Sequence, residues 1–352
     1  MSILIIPAAG RSSRFPGTRP KWLLTMPDGK LMVEKAIEGC LAKNQFDRAI
    51  LVCLQEHLEK YCPLEKLEQI LTSISGVDIH IFVLEDPTQS QAETVALTLK
   101  KFDIDSPFLI KDCDNYFEFE WNKGNQVAVV DAHKAPGIEL ANKSYVVSDA
   151  LNVIQNIVEK QIVSHLFCCG AYGFGSPRKF IDTFEAIDSL REVYVSHIIY
   201  SLLMEGDMFE AKEAFEYVDW GTFDAYRKFA RSSLTVFCDL DGVLMVNGSK
   251  FGKLGWKTDT IESNVAALRA LMQKFNVHLV ITTSRPESES DYVKAKLAEA
   301  GIVPQSMLMG LPHTKRVLIN DFCATNPYPT AISINLERNS PNLQGLMDGL
   351  VI

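Results

Sequence analysis

The chain predicts an α/β fold in two domains, one over residues 1–231 and a smaller one over residues 232–352. Three observations carry this. Its 352 residues exceed what one hydrophobic core ordinarily holds. Through the first two-thirds, short apolar runs alternate with stretches of helical periodicity, the pattern of a mainly parallel sheet covered by helices. Then, directly after Ser232-Ser233, a fresh apolar run begins and ends in two aspartates, as a new sheet would.

Composition narrows the function. With 47% apolar and 22% charged residues the chain is globular, and no apolar run reaches the roughly 20 residues of a membrane span. Residues 1–7 run straight into a strand without a basic leader, so a cytoplasmic protein with no membrane partner is expected. Eight cysteines form no C-x-x-C pair, and Cys53, Cys113 and Cys238 sit in or beside apolar runs, which predicts reduced, buried thiols rather than disulfides or zinc. The net charge of −9 falls on the first domain: residues 1–232 carry 24 Lys+Arg against 33 Asp+Glu, while the remainder balances at 11 each. Such an acidic domain excludes wrapping a nucleic acid backbone. It suits small phosphorylated substrates met by a few placed cations and a metal.

Taken in order, residues 3–6 form the first strand and lead into Pro7-Ala8-Ala9-Gly10-Arg11-Ser12-Ser13-Arg14-Phe15. Small residues after a strand let backbone N–H groups approach a phosphate, and Arg11, Arg14 and Lys21 add charge where a triphosphate would lie. Neither the P-loop spacing nor the G-x-G-x-x-G fingerprint is present. Strands are predicted at residues 49–54, 79–84, 107–110 and 126–130, with helices over 32–42, 64–74 and 91–101. The strand before residue 111 delivers Lys111-Asp112-Cys113-Asp114-Asn115. A carboxylate there, paired with a distant one such as Asp219, would hold Mg²⁺ against phosphate oxygens, although an isolated D-x-D-N is a turn cap. Residues 166–174 are glycine-rich and aromatic, and residues 213–218 lead into Asp219-Trp220-Gly221-Thr222.

These signals in this order resemble the sugar-1-phosphate nucleotidyltransferases: the loop from Ala8 to Arg14, Pro20-Lys21, Ser90-Gln91-Ala92-Glu93-Thr94, Asp114-Asn115, Glu159-Lys160, the glycines from Gly170, and Asp219 to Thr222. The resemblance implies a Rossmann-like nucleotidyltransferase domain that joins a nucleoside triphosphate to a phosphorylated sugar or polyol and releases pyrophosphate. Ala8, Ala9, Gly10, Arg11, Ser12 and Ser13 would cradle the triphosphate with Arg14, and Lys21 would neutralise charge between the substrates. Gln91 and Thr94 would border the base, while Glu159, Lys160 and Gly170 would face the acceptor. Mg²⁺ would sit on Asp114 and Asp219, with Asp112 as the competing ligand. The first loop lies closest to cytidylyl- and uridylyltransferase versions, which favours CTP or UTP.

In the second domain, residues 234–237 read as a buried strand delivering Asp239 and Asp241 to its tip, with Gly242 turning the backbone. A helix-loop-helix calcium loop is excluded, because its twelfth position holds Lys250 where a Glu is required. Residues 277–281 lead into Thr282-Thr283-Ser284-Arg285-Pro286, and Lys315 precedes an apolar strand over 316–319 that ends in Asn320-Asp321. This set resembles the four motifs of the haloacid dehalogenase superfamily. It implies a small α/β phosphatase domain without a cap, residues 259–274 forming a helix and 245–257 a flap. Asp239 would be the nucleophile, Asp241 the acid and base, Thr283 a donor to the phosphoryl group, and Lys315 a screen for the nucleophile. A second Mg²⁺ would be held by Asp239, Asp241 through its carbonyl, and Asp321. The joint expectation is a bifunctional enzyme making an activated sugar for surface polysaccharide, with the homo-oligomeric state left open. Two alternatives stand: a non-sugar phosphate or phosphonate acceptor such as phosphocholine, or one domain serving only as a regulatory module.

Overall fold

An unbroken apolar run forms β1 (Ile3–Pro7), in which Ile3 to Ile6 are each at most 3% exposed. A strand with no polar alternation must be covered on both faces, and the neighbouring elements supply that cover. The chain continues through α1 (Met32–Leu41), β2 (Arg48–Leu54), α2 (Gln55–Tyr61), α3 (Leu64–Leu71), β3 (Ile79–Leu84), α4 (Gln91–Lys101) and β4 (Phe108–Lys111). In this computed structural model the described residues are 1–11, 15, 17–74, 76–135, 137–187, 192–253, 255–320 and 331–349. They form two units, Met1–Arg227 and Lys228–Ile352.

In the first unit β3, β2, β1 and β4 lie side by side and parallel. Leu4 and Ile6 pack on one face with Val33, Ile37, Leu67 and Leu71 of α1 and α3. Ile3 and Ile5 pack on the other with Val95 and Leu99 of α4. Beyond β4 come β5 (Asn115–Glu118), β6 (Gln126–Asp131), β7 (Tyr145–Ser148), β8 (Ile154–Val158), β9 (Leu166–Phe174), α5 (Pro177–Ala186), α6 (Val195–Met204), β10 (Glu210–Glu213), β11 (Phe215–Asp219) and α7 (Phe223–Arg231). The glycine-rich residues 166–174 turn out to be β9, the longest strand described, inserted antiparallel between β4 and β6. The sheet is therefore parallel only in part. The chain reaches β9 through the antiparallel β7–β8 pair rather than a helical crossover, which reverses its direction. Separately, β5 and β11 form a two-stranded antiparallel ladder with Asp219 opposite Asn115.

The second unit contains β12 (Ser233–Asp239), α8 (Glu262–Lys274), β13 (Asn276–Thr282), α9 (Ser290–Glu299), β14 (Ser306–Leu308) and α10 (Leu343–Asp348). Among the described residues the sheet order is β12-β13-β14, all parallel. Leu240, Leu244, Val265, Leu268, Leu279, Ile281, Val293 and Leu297 form its core. A single helix, α8, connects β12 to β13. Two expectations fail here. Among the described residues the run 234–237 is an edge strand and not a buried one, with Phe237 56% exposed. Residues 316–319 form no strand: Val317, Leu318 and Ile319 lie outside the core, Ile319 being 90% exposed. β-branched composition favours a pleated, half-buried surface, and without a ladder partner it makes no strand.

The described cysteines, Cys40, Cys53, Cys62, Cys113, Cys168, Cys169 and Cys238, are buried free thiols. Burial pushes the Cys53, Cys113 and Cys238 thiols up to about 12. No described helix is long and apolar enough to cross a membrane.

Candidate active site

From β1 the chain moves to β2 on one side, and β4 pairs with β1 on the other. Loops leaving the carboxyl ends of β1 and β4 therefore face one crevice, the place where open α/β sheets bind ligands. After β1, Ala8 and Ala9 are buried, and the Ala8 N–H donates to Val52 O at 2.7 Å. Gly10 has no atom within 4 Å of where a Cβ would stand, and Arg11 is exposed, so the loop opens to solvent there. Ser12, Ser13 and Arg14 lie outside the described residues. Lys21 begins a short 3-10 turn, Lys21–Leu23, whose Trp22 and Leu23 are buried and anchor it. Its Nζ reaches Asp114 Oδ2 at 2.5 Å.

The loop after β4 rests on Lys111, which is fully buried. Its ammonium donates to Asp112 O at 2.8 Å, to Asn115 O at 3.1 Å and to Asn115 Oδ1, and lies 4.5 Å from the Phe117 ring centre. This fixes the turn that presents two carboxylates. Asp112 accepts from Gln91 Nε2 at 2.5 Å. Gln91 starts α4 and is held there by its cap, Ser90 Oγ accepting from Glu93 N at 3.2 Å. Burial, reinforced by the charge of Asp114, pushes the Asp112 carboxyl above its usual range. Gly170 of β9 has φ +99°, and a Cβ there would stand 2.4 Å from Asp112 Oδ2 and 2.7 Å from Asn115 Nδ2. Gly170 thus makes room for the carboxylate turn. Thr94 is buried, its hydroxyl 2.6 Å from Thr88 Oγ1 and 3.2 Å from Ser90 O.

A third carboxylate, Asp219, arrives on β11. Trp220 N donates to Asp114 O at 2.9 Å, and Gly221 N donates to Asp219 Oδ1 at 2.9 Å. A Cβ on Gly221 would stand 3.0 Å from Asp219 Oδ1 and 3.3 Å from Asp114 Oδ2, so the two carboxylates converge on one point. Asp219 Oδ2 lies 2.7 Å from Lys143 Nζ, which also donates to Tyr217 Oη at 2.9 Å. Lys143 is the member that the sequence reading missed; a lone lysine in a loop carries no spacing signal. Glu159 accepts from the Ser144 and Ser196 hydroxyls, the latter at 2.6 Å, and Lys160 Nζ donates to Tyr194 Oη at 2.6 Å.

Two carboxylates suit Mg²⁺, which takes one or two from protein and completes its shell with water and substrate phosphates. No cluster of three or more His, Cys, Asp or Glu occurs among the described residues, so nothing there builds an all-protein cage.

In the second unit, Asp239 ends β12 and Asp241 follows it. Asp239 Oδ1 faces Arg316 NH1 at 3.0 Å, while Lys315 is exposed. Asp241 is gripped by the fully buried Arg285, Nε to Oδ1 at 3.0 Å and NH2 to Oδ1 at 2.8 Å, and accepts from Thr283 Oγ1 at 2.8 Å. Arg285 also donates to Thr258 Oγ1 at 2.9 Å and to Trp256 O. Asp321 lies outside the described residues. Among the described residues Asp239 and Asp241 each face a guanidinium, and no metal step is derived for this unit.

No protein-family model and no curated protein matches the chain. Solved structures do. A nucleoside-diphosphate-sugar pyrophosphorylase from Vibrio cholerae is 20% identical, covering 65% of this chain and 99% of its own, with a TM-score of 0.55. The inositol-1-phosphate CTP transferase from T. maritima is 16% identical over 64% of this chain and 95% of its own, TM-score 0.51. A UDP-glucose pyrophosphorylase complexed with UDP-glucose is 15% identical over 66% of this chain and 98% of its own, TM-score 0.51. The N-terminal two-thirds of the chain therefore has the Rossmann-like fold of these nucleotidyltransferases.

Proposed function

We propose that Met1–Arg227 transfers a nucleotidyl group from CTP or UTP to a phosphorylated sugar or polyol and releases pyrophosphate. The observation that carries this is the convergence of Asp114 and Asp219, each against its own lysine, beside the open loop after β1. An acceptor phosphate oxygen attacks the α-phosphorus while the bond to the β-phosphate oxygen breaks, and pyrophosphate departs. Such transfer needs positioning and charge neutralisation but no protein nucleophile. Asp114 and Asp219 would hold Mg²⁺, which when bound offsets charge on the phosphates. The Ala8 N–H is taken by Val52 O, so the N–H groups from Ala9 to Arg11, with Arg14, receive the triphosphate; Lys21 neutralises charge beside Asp114; Gln91 borders the base. Relatives named as a CTP transferase for inositol 1-phosphate and as a UDP-glucose enzyme support a pyrimidine nucleotide and a ring-shaped acceptor.

For Lys228–Ile352 the reading is hydrolysis of a phosphomonoester, the two activities together supplying an activated sugar for surface polysaccharide. Asp239 attacks phosphorus, the alcohol leaves, and water then cleaves the acyl phosphate. Asp241, oriented by Arg285 and Thr283, handles the proton. The Thr283–Asp241 contact of 2.8 Å, joining the tips of β12 and β13, supports this.

The test is incubation with Mg²⁺, each of the four NTPs and a panel of phosphorylated sugars and polyols, with pyrophosphate and orthophosphate followed separately. Pyrophosphate should form with CTP or UTP. Its absence from every combination would end the transferase reading.

A further inference from the structure

We infer that Lys143, rather than Lys160, is the residue that receives the phosphate of the acceptor. This deepens the nucleotidyl-transfer reading and rests on it. The resemblance points to Glu159-Lys160, whose side chains bond to Ser144, Ser196 and Tyr194, whereas Lys143 pairs with Asp219, one of the two converging carboxylates. Glu159, directly after β8, accepts from Ser144 before β7 and from Ser196 in α6, and so ties three segments together. Lys160 has φ +53°, and its ammonium sits 2.6 Å from Tyr194 Oη and 4.2 Å from that ring's centre. The same hydroxyl donates to Glu192 at 2.7 Å, which completes a local group of three.

The same backbone junction supplies another cation. Lys160 N donates to Lys143 O at 3.1 Å, so the two lysines stand on adjoining chain segments while their side chains find different partners. The ammonium of Lys143 meets Asp219 Oδ2 at 2.7 Å and Tyr217 Oη at 2.9 Å. Its side chain is 17% exposed and that of Asp219 12%, so the pair is confined but still open to solvent. Asp219 shares its approach point with Asp114, which holds Lys21. A phosphate monoester entering beside Asp219 therefore meets an ammonium already ordered within hydrogen-bond reach, and the cost of ordering that side chain is largely met beforehand. A lysine has three donors, so Lys143 can keep Tyr217 and turn another N–H to phosphate. Lys21 then serves the nucleotide side and Lys143 the acceptor side.

The experiment uses the full chain with saturating Mg²⁺ and CTP, into which inorganic phosphate is titrated calorimetrically. Lys143→Met, which keeps the aliphatic stem, should weaken phosphate binding by about tenfold or more, the usual loss for a charged hydrogen bond. Lys143→Arg should restore most of it, and Lys160→Met should shift it less. Lys143→Gln replaces the Met variant if that one loses its thermal transition. In turnover, the acceptor KM should rise in parallel while the nucleotide KM stays nearly constant; a purely structural role would move both. Phosphate that binds wild type and Lys143→Met equally, that responds to Lys160→Met instead, or that fails to bind wild type overturns the assignment. A wild type that binds phosphate through Lys143 but makes no pyrophosphate refutes the transfer reading while leaving the phosphate site standing.

Discussion

Gly170 is the residue on which the geometry of the first site is most sharply dependent. Its φ of +99° lies where side chains are strained, and the space a Cβ needs is taken by Asp112 Oδ2 and Asn115 Nδ2. Strain and overpacking each cost of order 1–3 kcal/mol, so Gly170→Ala should destabilise the first unit by about 4 kcal/mol in urea unfolding. It should also lower the rate of pyrophosphate formation by about a hundredfold, because the turn holding Asp114 must shift. A variant with wild-type stability and rate would show that the turn tolerates displacement. The reason Gly170 was legible in sequence only as an acceptor-facing residue is physical. A glycine announces a close approach, but the sequence does not say what approaches. Lys143 was illegible for a related reason, since its partners, Tyr217 and Asp219, stand more than seventy residues away. Asp114 and Asp219 were legible because strand ends followed by polar turns have a recognisable pattern.

At the scale of elements, the parallel strands β1 to β4 were legible as unalternating apolar runs. β9 was not, because its glycines and aromatics blur the strand period. The run 316–319 misled in the opposite sense: its composition promised a strand that no neighbour pairs with. In the second unit, the turn after β13 and the flap before α8 are joined by one side chain. Arg285 is fully buried and bonds Asp241, Thr258 Oγ1 and Trp256 O. Removing one partner of a buried ion pair leaves the other uncompensated, so Arg285→Met should cost the second unit about 3 kcal/mol. Asp241→Asn placed in the Arg285→Met background should recover part of that loss, since no charge is then stranded. Unfolding midpoints for the two single variants and the double variant give the coupling directly. Strict additivity would mean that the pair contributes nothing beyond its separate members.

At the scale of the whole chain, the proposal places two chemistries in two units of one polypeptide, each with its own core. If the assignment is right, the activities must separate by mutation in the intact protein. Asp114→Asn removes one of the converging carboxylates and should lower pyrophosphate formation by about a hundredfold or more, the scale of losing one preorganised electrostatic group. Orthophosphate release from an added phosphomonoester should stay within about twofold in that variant, because no residue of the second core is touched. Asp239→Asn should do the reverse, abolishing orthophosphate release by removing the nucleophile while pyrophosphate formation persists. Both variants keep side-chain volume, so a lost activity is not a lost fold, and a circular dichroism spectrum matching wild type checks this. Orthophosphate release that survives Asp239→Asn would exclude a phosphoaspartyl intermediate. Loss of both activities in either variant would mean that the two units do not act as separate catalysts, and the division of labour proposed for them would fall.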